Sequence, residues 1–234
     1  MMQNEVQAIV AELRTYHNSK NLEGMARFGI ATENAIGIKI PVLRGIAKAI
    51  GKNHELALQL WSTKIHEARI LAVYIADYKR VSDALMEKWV KDFASWDVCD
   101  QTCGGLFDKT IYAYDKAAEW TQRESEFEKR AGFVMMATLA VHDKKAEDKN
   151  FLAFLSLIEK EACDERNFVK KAVNWALRQI GKRNMRLNAA AVLCAKRIHT
   201  QSGKSSKWIA TDALRELQDE KHLVQIQKIS RRNR

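Results

Sequence analysis

DERNFVKKAVNWALRQIGKRNMR, residues 164–186, decides how the chain is read. Wound at about 100° per residue, it places Val169, Ala172, Val173, Ala176, Leu177 and Ile180 within one arc. That arc is the stripe of a helix packed on a core. Lys171, Trp175, Arg178 and Lys182 follow at i, i+4, i+7 and i+11 and share the opposite side. A tryptophan among three cations, directed away from the core, meets no packing need. It is the surface expected of a site for an anionic, partly aromatic partner.

Apolar residues recur at helical spacing almost throughout the 234 residues, which include one proline and ten glycines, so the expectation is an all-α chain. Helices are expected near 5–16, 22–28, 41–50, 55–61, 66–78, 82–93, 96–107, 114–121, 125–141, 146–161, 166–181, 185–199 and 205–217. Pro41 suits a first helical position and Gly51 ends that helix, while Gly29 and Gly37 mark turns between. Ser125 with Glu128 fits a capping box. Paired helices joined by short turns are the rhythm of a HEAT-like α-solenoid, whose concave face would cradle a duplex. No strict repeat is present, and an irregular helical bundle is the competing architecture. Residues 1–219 read as one domain and 220–234 as a basic tail, which either touches phosphates or is a solubilising terminus.

With 47% hydrophobic and 29% charged residues, the composition is that of a folded chain rather than a disordered one. The net charge of +10 is segregated: residues 1–163 hold 22 Lys/Arg against 23 Asp/Glu, residues 164–234 hold 17 against 6. The excess begins where the opening stretch begins. It points to a polyanion, nucleic acid ahead of an acidic membrane surface. No basic start followed by an apolar run opens the chain, and no window nears the ~18 apolar residues of a membrane span. Four cysteines make no disulfide framework, so the cytoplasm is the default.

A second stretch, SWDVCDQTCGGLFD (Ser95–Asp108), places Trp96 and Asp100 one helical turn apart, so that ring and carboxylate share a face. Most such tryptophans are core and most such aspartates surface. Ser95 suits an N-cap, Asp97 suits the positive end of the helix dipole, and Gly104 and Gly105 suggest close approach by another element. Cys99 and Cys103 lack further ligands at zinc or iron–sulfur spacing and read as buried thiols. Neither a nucleophile triad nor a phosphate-cradling glycine loop can be assembled. Arg130, among Phe127, Ala131 and Val134, is either a salt bridge to a neighbouring helix or a forked phosphate contact.

Five blocks occur in order: GMARFGI…GIKIPVLRGIAK (Gly24–Lys48), HEARILA (His66–Ala72), SWDVCD (Ser95–Asp100), KRAGFVMM (Lys129–Met136) and NFVKKAVNWALRQIGKRN (Asn167–Asn184). Together, over residues 5–200, they resemble the DNA alkylation repair family, the AlkD-like, HEAT-repeat alkylpurine DNA glycosylases. The resemblance implies a helical solenoid holding duplex DNA on a concave basic face. It implies hydrolysis of the N-glycosidic bond of N3- and N7-alkylated purines, by a monomer with no cofactor and no metal. Trp96 and Trp175 then correspond to the active-site tryptophans and Asp100 to the essential carboxylate, while Arg130 and Arg178 match arginines on the DNA backbone. Lys171 and Lys182, with Lys39 from the first block, are expected on the DNA as well. Phe28 stands where the family usually has tyrosine, which removes a hydroxyl and any hydrogen bond it makes. Two other functions remain open, a non-catalytic binder of damaged or branched DNA and a protein-interaction scaffold. Charge segregation and an exposed Trp175 favour the scaffold least.

Overall fold

A computed structural model describes the backbone of residues 2–232 and the side chains of residues 4–228. Helices are the regular elements among the described residues: α1 (Met2–Thr15), α2 (Ser19–Arg27), α3 (Ile40–Ile50), α4 (His54–Ser62), α5 (His66–Ile75), α6 (Asp83–Lys91), α7 (Trp96–Gly105), α8 (Ala113–Trp120), α9 (Glu126–His142), α10 (Asp148–Glu161), α11 (Asn167–Gly181), α12 (Met185–Thr200), α13 (Lys204–Leu217) and α14 (Glu220–Arg232). The chain forms two compact units, one ending at Thr110 and one beginning at Ile111.

Local chemistry explains most of the boundaries. Asn18, Asn53, Ser82 and Asn184 each accept a hydrogen bond from the amide three residues on, capping α2, α4, α6 and α12. Pro41 lies in the first turn of α3, and Gly51, at φ 75°, stops that helix. Gly37 turns the chain at φ 87°, where a Cβ would come within 2.4 Å of the Asn18 carbonyl oxygen. Ser125 takes the N-cap position of α9 without a side-chain cap, and Glu128 pairs with Arg123 at 3.5 Å instead of reaching back. The expected capping box is therefore not formed.

Within each unit, alternate helices stack. In the first, α5 packs on both α3 and α7. Trp61 of α4 lies flat on Trp89 of α6, with ring centroids 3.9 Å apart. The close approach anticipated near Gly104 and Gly105 is made by α5, since a Cβ at Gly105 would meet Val73 at 2.9 Å. In the second unit α9, α11 and α13 form one run of neighbours, and α8, α10, α12 and α14 another. Val169, Ala172, Val173, Ala176, Leu177 and Ile180 of α11 are all fully buried, as the opening stretch requires. Polar side chains tie one helix pair to the next, as with Trp61 Nε1–H to Asp92, Tyr114 Oη–H to Asp143 and Asn174 Nδ2–H to Asp212. This alternation is the HEAT-like pattern read from the sequence rhythm.

α14 occupies a stretch that its charges alone read as a tail. Leu223 and Ile226 give it a narrow apolar stripe against α12 and α13, and Ile226 is buried. The basic run Ile229–Arg234 lies outside the residues whose side chains are described.

The irregular segment between α2 and α3 has few bonds of its own, and α5 supplies them. Glu67, 1% exposed, accepts hydrogen bonds from the amides of Ile36 at 2.8 Å, Gly37 at 2.7 Å and Ile38 at 3.2 Å. Replacing it by alanine leaves three buried donors without an acceptor. We expect Glu67→Ala to lower stability by about 3 kcal/mol or more, measured by urea denaturation. A loss below about 1 kcal/mol would mean that the amides find other partners.

Candidate functional site

In the first unit the site is built on the start of α7. Ser95 occupies the N-cap position, but its Oγ–H donates to Asp97 Oδ1 at 2.7 Å rather than closing the helix end. The other carboxylate oxygen of Asp97 lies 2.8 Å from His66 Nε2 on α5. Burial pushes the Asp97 carboxyl up. Hydrogen bonds from His66, Ser95 and the Val98 amide outweigh it and hold the group below the usual range. The first turn of α7 is thereby fixed to α5.

Trp96 begins α7, is part-exposed, and donates its indole N–H to the Phe28 carbonyl at 3.0 Å. Trp96 and Phe28 are thus brought together through the backbone of Phe28, a residue that is 72% exposed. Asp100 follows one turn later and is part-exposed. Cys99 and Cys103 are buried, and burial together with the Cys99 neighbour pushes the Cys103 thiol well up, as befits a small hydrophobe. Lys39 takes the N-cap position of α3, is exposed, and borders a groove that Trp96 also lines.

In the second unit, Lys171 and Trp175 stand on the outer side of α11, exposed and part-exposed respectively. Arg178 and Lys182 continue that side but are committed to α13. Arg178 reaches Glu216 at 2.8 Å and Asp212 at 3.4 Å, and Lys182 reaches Glu216 at 3.0 Å. Arg130 is 5% exposed and donates from Nη1 to the Phe168 carbonyl at 2.6 Å, which anchors the first turn of α11. Among the described residues no three His, Cys, Asp or Glu side chains are grouped to hold a metal. No helix there is long and apolar enough to cross a membrane.

The family model of the DNA alkylation repair enzymes matches residues 9–226. The chain belongs to that family. A solved structure from a family described as related to the HEAT-like repeat DNA glycosylases, with affinity for branched DNA structures, superposes with a TM-score of 0.74. Sequence identity is 21%, over 89% of this chain and 94% of that one, a likeness that shows the fold. No curated protein matches the sequence.

For a DNA alkylation repair protein, with DNA as the implied partner class, several unforeseen residues shape the candidate surface. Asp212 and Glu216 neutralise part of the cationic face, and nothing in α11 announces them. His66 and Glu67 lie in the HEARILA block, where spacing alone gives no sign of what they hold. Trp208 was within reach of sequence reasoning. It lies off the stripe of Ile209, Ala210, Ala213 and Leu217, is 42% exposed, and has Lys170 Nζ 5.3 Å from its ring centroid.

Burial raises the Glu216 carboxyl, but Lys182, Arg178 and His222 more than offset this and lower it from its ordinary 4.5. A depressed carboxylate adds stability that is present above its unfolded value and lost as pH falls through the folded one. Glu216→Gln should therefore lower the thermal midpoint near neutral pH. Its deficit against wild type should shrink as pH drops below 4.5. A deficit that stays constant with pH would remove the ion pairs as its cause.

Proposed function

We propose that this chain is a DNA glycosylase that hydrolyses the N-glycosidic bond of N3- and N7-alkylated purines in duplex DNA. The observation that carries the reading is Asp100, a part-exposed carboxylate one turn beyond Trp96 on a helix whose start is fixed by His66, Ser95 and Phe28. Fixing the helix fixes both side chains, and preorganised charge is what such a reaction needs.

An N3- or N7-alkylpurine is cationic before reaction, so it departs as a neutral base without a general acid. The C1′–N bond breaks with its electron pair moving to the purine, and the sugar acquires oxocarbenium character. Water then bonds to C1′ and gives up a proton. Asp100 is assigned to both needs: its negative charge stabilises the sugar cation, and it orients the water and accepts the proton. Trp96 is assigned to the cationic nucleotide beside Asp100, and Trp175 to an aromatic contact with the DNA from the second unit, each contact being worth about 0.5–2 kcal/mol. At the upper end that is roughly thirty-fold in rate, so the carboxylate carries most of the acceleration.

On the basic side, Lys171 and Lys39 are assigned to phosphates. Arg178 and Lys182 reach phosphate in competition with Glu216. Arg130 serves the interface by holding α11 in place. A second reading is a binder of damaged or branched DNA without excision. A fold shared with a protein from a family described as having affinity for branched DNA structures favours it.

Incubation with duplex containing 7-methylguanine separates the two. Wild type should release the methylated base, and Asp100→Asn should bind the same duplex with nearly unchanged affinity and release none. Wild type that binds but frees no base above background rejects the enzyme reading. Loss of binding in Asp100→Asn would make Asp100 structural.

Affinity should also fall steeply with salt, through counterion release. Lys171→Ala should flatten the slope of log K against log salt by about one unit. Arg178→Ala should flatten it by less, because its charge is already shared with Glu216. An unchanged slope for Lys171→Ala would take that residue out of the interface.

A further inference from the structure

We propose that Trp208 and Lys170, facing each other across the seam of α11 and α13, form a further contact for the sugar–phosphate backbone of duplex DNA. The proposal rests on the DNA-binding reading above and adds a contact made by α13, to nucleotides that stay paired and stacked. Both helices lie within the second unit.

The seam is a ladder with one rung per helical turn. Lys170 Nζ lies 5.3 Å from the Trp208 ring centroid, and Asn174 Nδ2–H donates to Asp212 at 2.7 Å. Arg178 then reaches Asp212 and Glu216, and Lys182 reaches Glu216. Positions four apart on α11 thus meet positions four apart on α13. On the later rungs a carboxylate takes up the α11 side chain, and for Arg178 and Lys182 it offsets the charge. On the first rung an indole stands where those carboxylates stand, and a ring attracts an ammonium without neutralising it. Lys170 is thereby held in place with its charge uncancelled by the ring. Glu165, the acid that interacts electrostatically with Lys170, accepts a hydrogen bond from the Ser205 amide at 3.1 Å and is tied to the start of α13.

Packing gives position 208 no need of a tryptophan. Trp61, Trp89 and Trp120 are buried, whereas Trp208 is exposed. Exposed indoles suit interfaces, because the body of the ring is apolar and its N–H donates a hydrogen bond. The surroundings choose the partner. Lys171 follows Lys170, Lys204 lies one turn before Trp208, and both are exposed. A ring among ammonium groups fits a deoxyribose, whose carbons are apolar, together with the phosphate next to it. An intact duplex presents both on its outside, so no base has to leave the stack.

The test measures binding of a labelled, undamaged duplex by fluorescence anisotropy over a range of salt. Trp208→Ala should weaken binding about fivefold, the scale of one cation–π contact. Trp208→Phe keeps a flat ring and should recover most of that loss. Lys170→Ala should weaken binding and flatten the slope of log K against log salt by about one unit. As members of one contact the two are coupled, so the double alanine variant should lose less than the product of the single fold-changes. Circular dichroism checks the helical fold, and should Trp208→Ala lose it, Trp208→Phe and Lys170→Ala still decide. Unchanged affinity in the single variants overturns the proposal and leaves the ring to a protein partner. Independent effects of the two residues overturn it as well. In either case binding by wild type keeps the DNA-binding reading, and wild type that binds no duplex rejects both. Release of 7-methylguanine by wild type, measured in parallel, tests the glycosylase reading separately.

Discussion

One buried carboxylate sets the arrangement of the first unit. A helix satisfies its own backbone, but the turns between Phe28 and Ile40 cannot, and buried amides without acceptors are costly. Glu67 accepts from three of them. Its neighbour His66 reaches the other way, to Asp97 at the start of α7, while its backbone amide donates to the Asn34 carbonyl at 2.9 Å. Two adjacent residues at the beginning of α5 thus locate both the turn carrying Lys39 and the helix carrying Trp96 and Asp100. As an acid in the first turn of α5, Glu67 also lies at the favourable end of the helix dipole. The candidate site depends on α5 although no residue assigned to it lies on that helix.

The second unit contains 25 Lys/Arg against 16 Asp/Glu, and what matters is how those charges are distributed. Along α11, Arg178 and Lys182 are tied to Glu216, Asn174 to Asp212, and Lys170 stands over Trp208. Each pairing joins α11 to α13 and so serves packing as well as surface charge. Lys171 is exposed on the same helix and makes no such tie. A formal excess of positive charge therefore overstates the number of cations at the disposal of a phosphate backbone. Under the proposed function the surplus would steer DNA toward the unit at long range, and a smaller set would make contact.

Local rules carried much of the fold. Hydrophobic period located the helices, the buried arc of α11 followed from its spacing, and Gly37 and Gly51 turn where glycine permits positive φ. What stayed hidden depends on partners distant in sequence. Glu216 lies 34 residues from Lys182, and Phe28 lies 68 from Trp96. No periodicity reports such pairings. Arg130 had two readings from sequence, and the Phe168 carbonyl, 38 residues away, accounts for its burial. The Glu128 half of the expected capping box is lost to a local competitor that the motif ignores, an arginine three residues before the helix begins. α14 is hard to read from sequence because its few apolar residues stand among many charges.

Phe28 bears on whether this family member retains excision. Where the family usually carries tyrosine, the chain lacks a hydroxyl, and that loss alone argues for a changed site. Yet the group at this position that holds Trp96 is the carbonyl, which every residue type possesses. Phe28 as a residue is 72% exposed. Exchange of tyrosine for phenylalanine therefore alters what the ring offers to DNA and leaves the placement of Trp96 intact. Asp100, one turn further along the same helix, inherits that placement. The substitution is thus a change in a contact surface, and under the proposed function it leaves the indole N–H bond that holds Trp96 beside Asp100 unaltered.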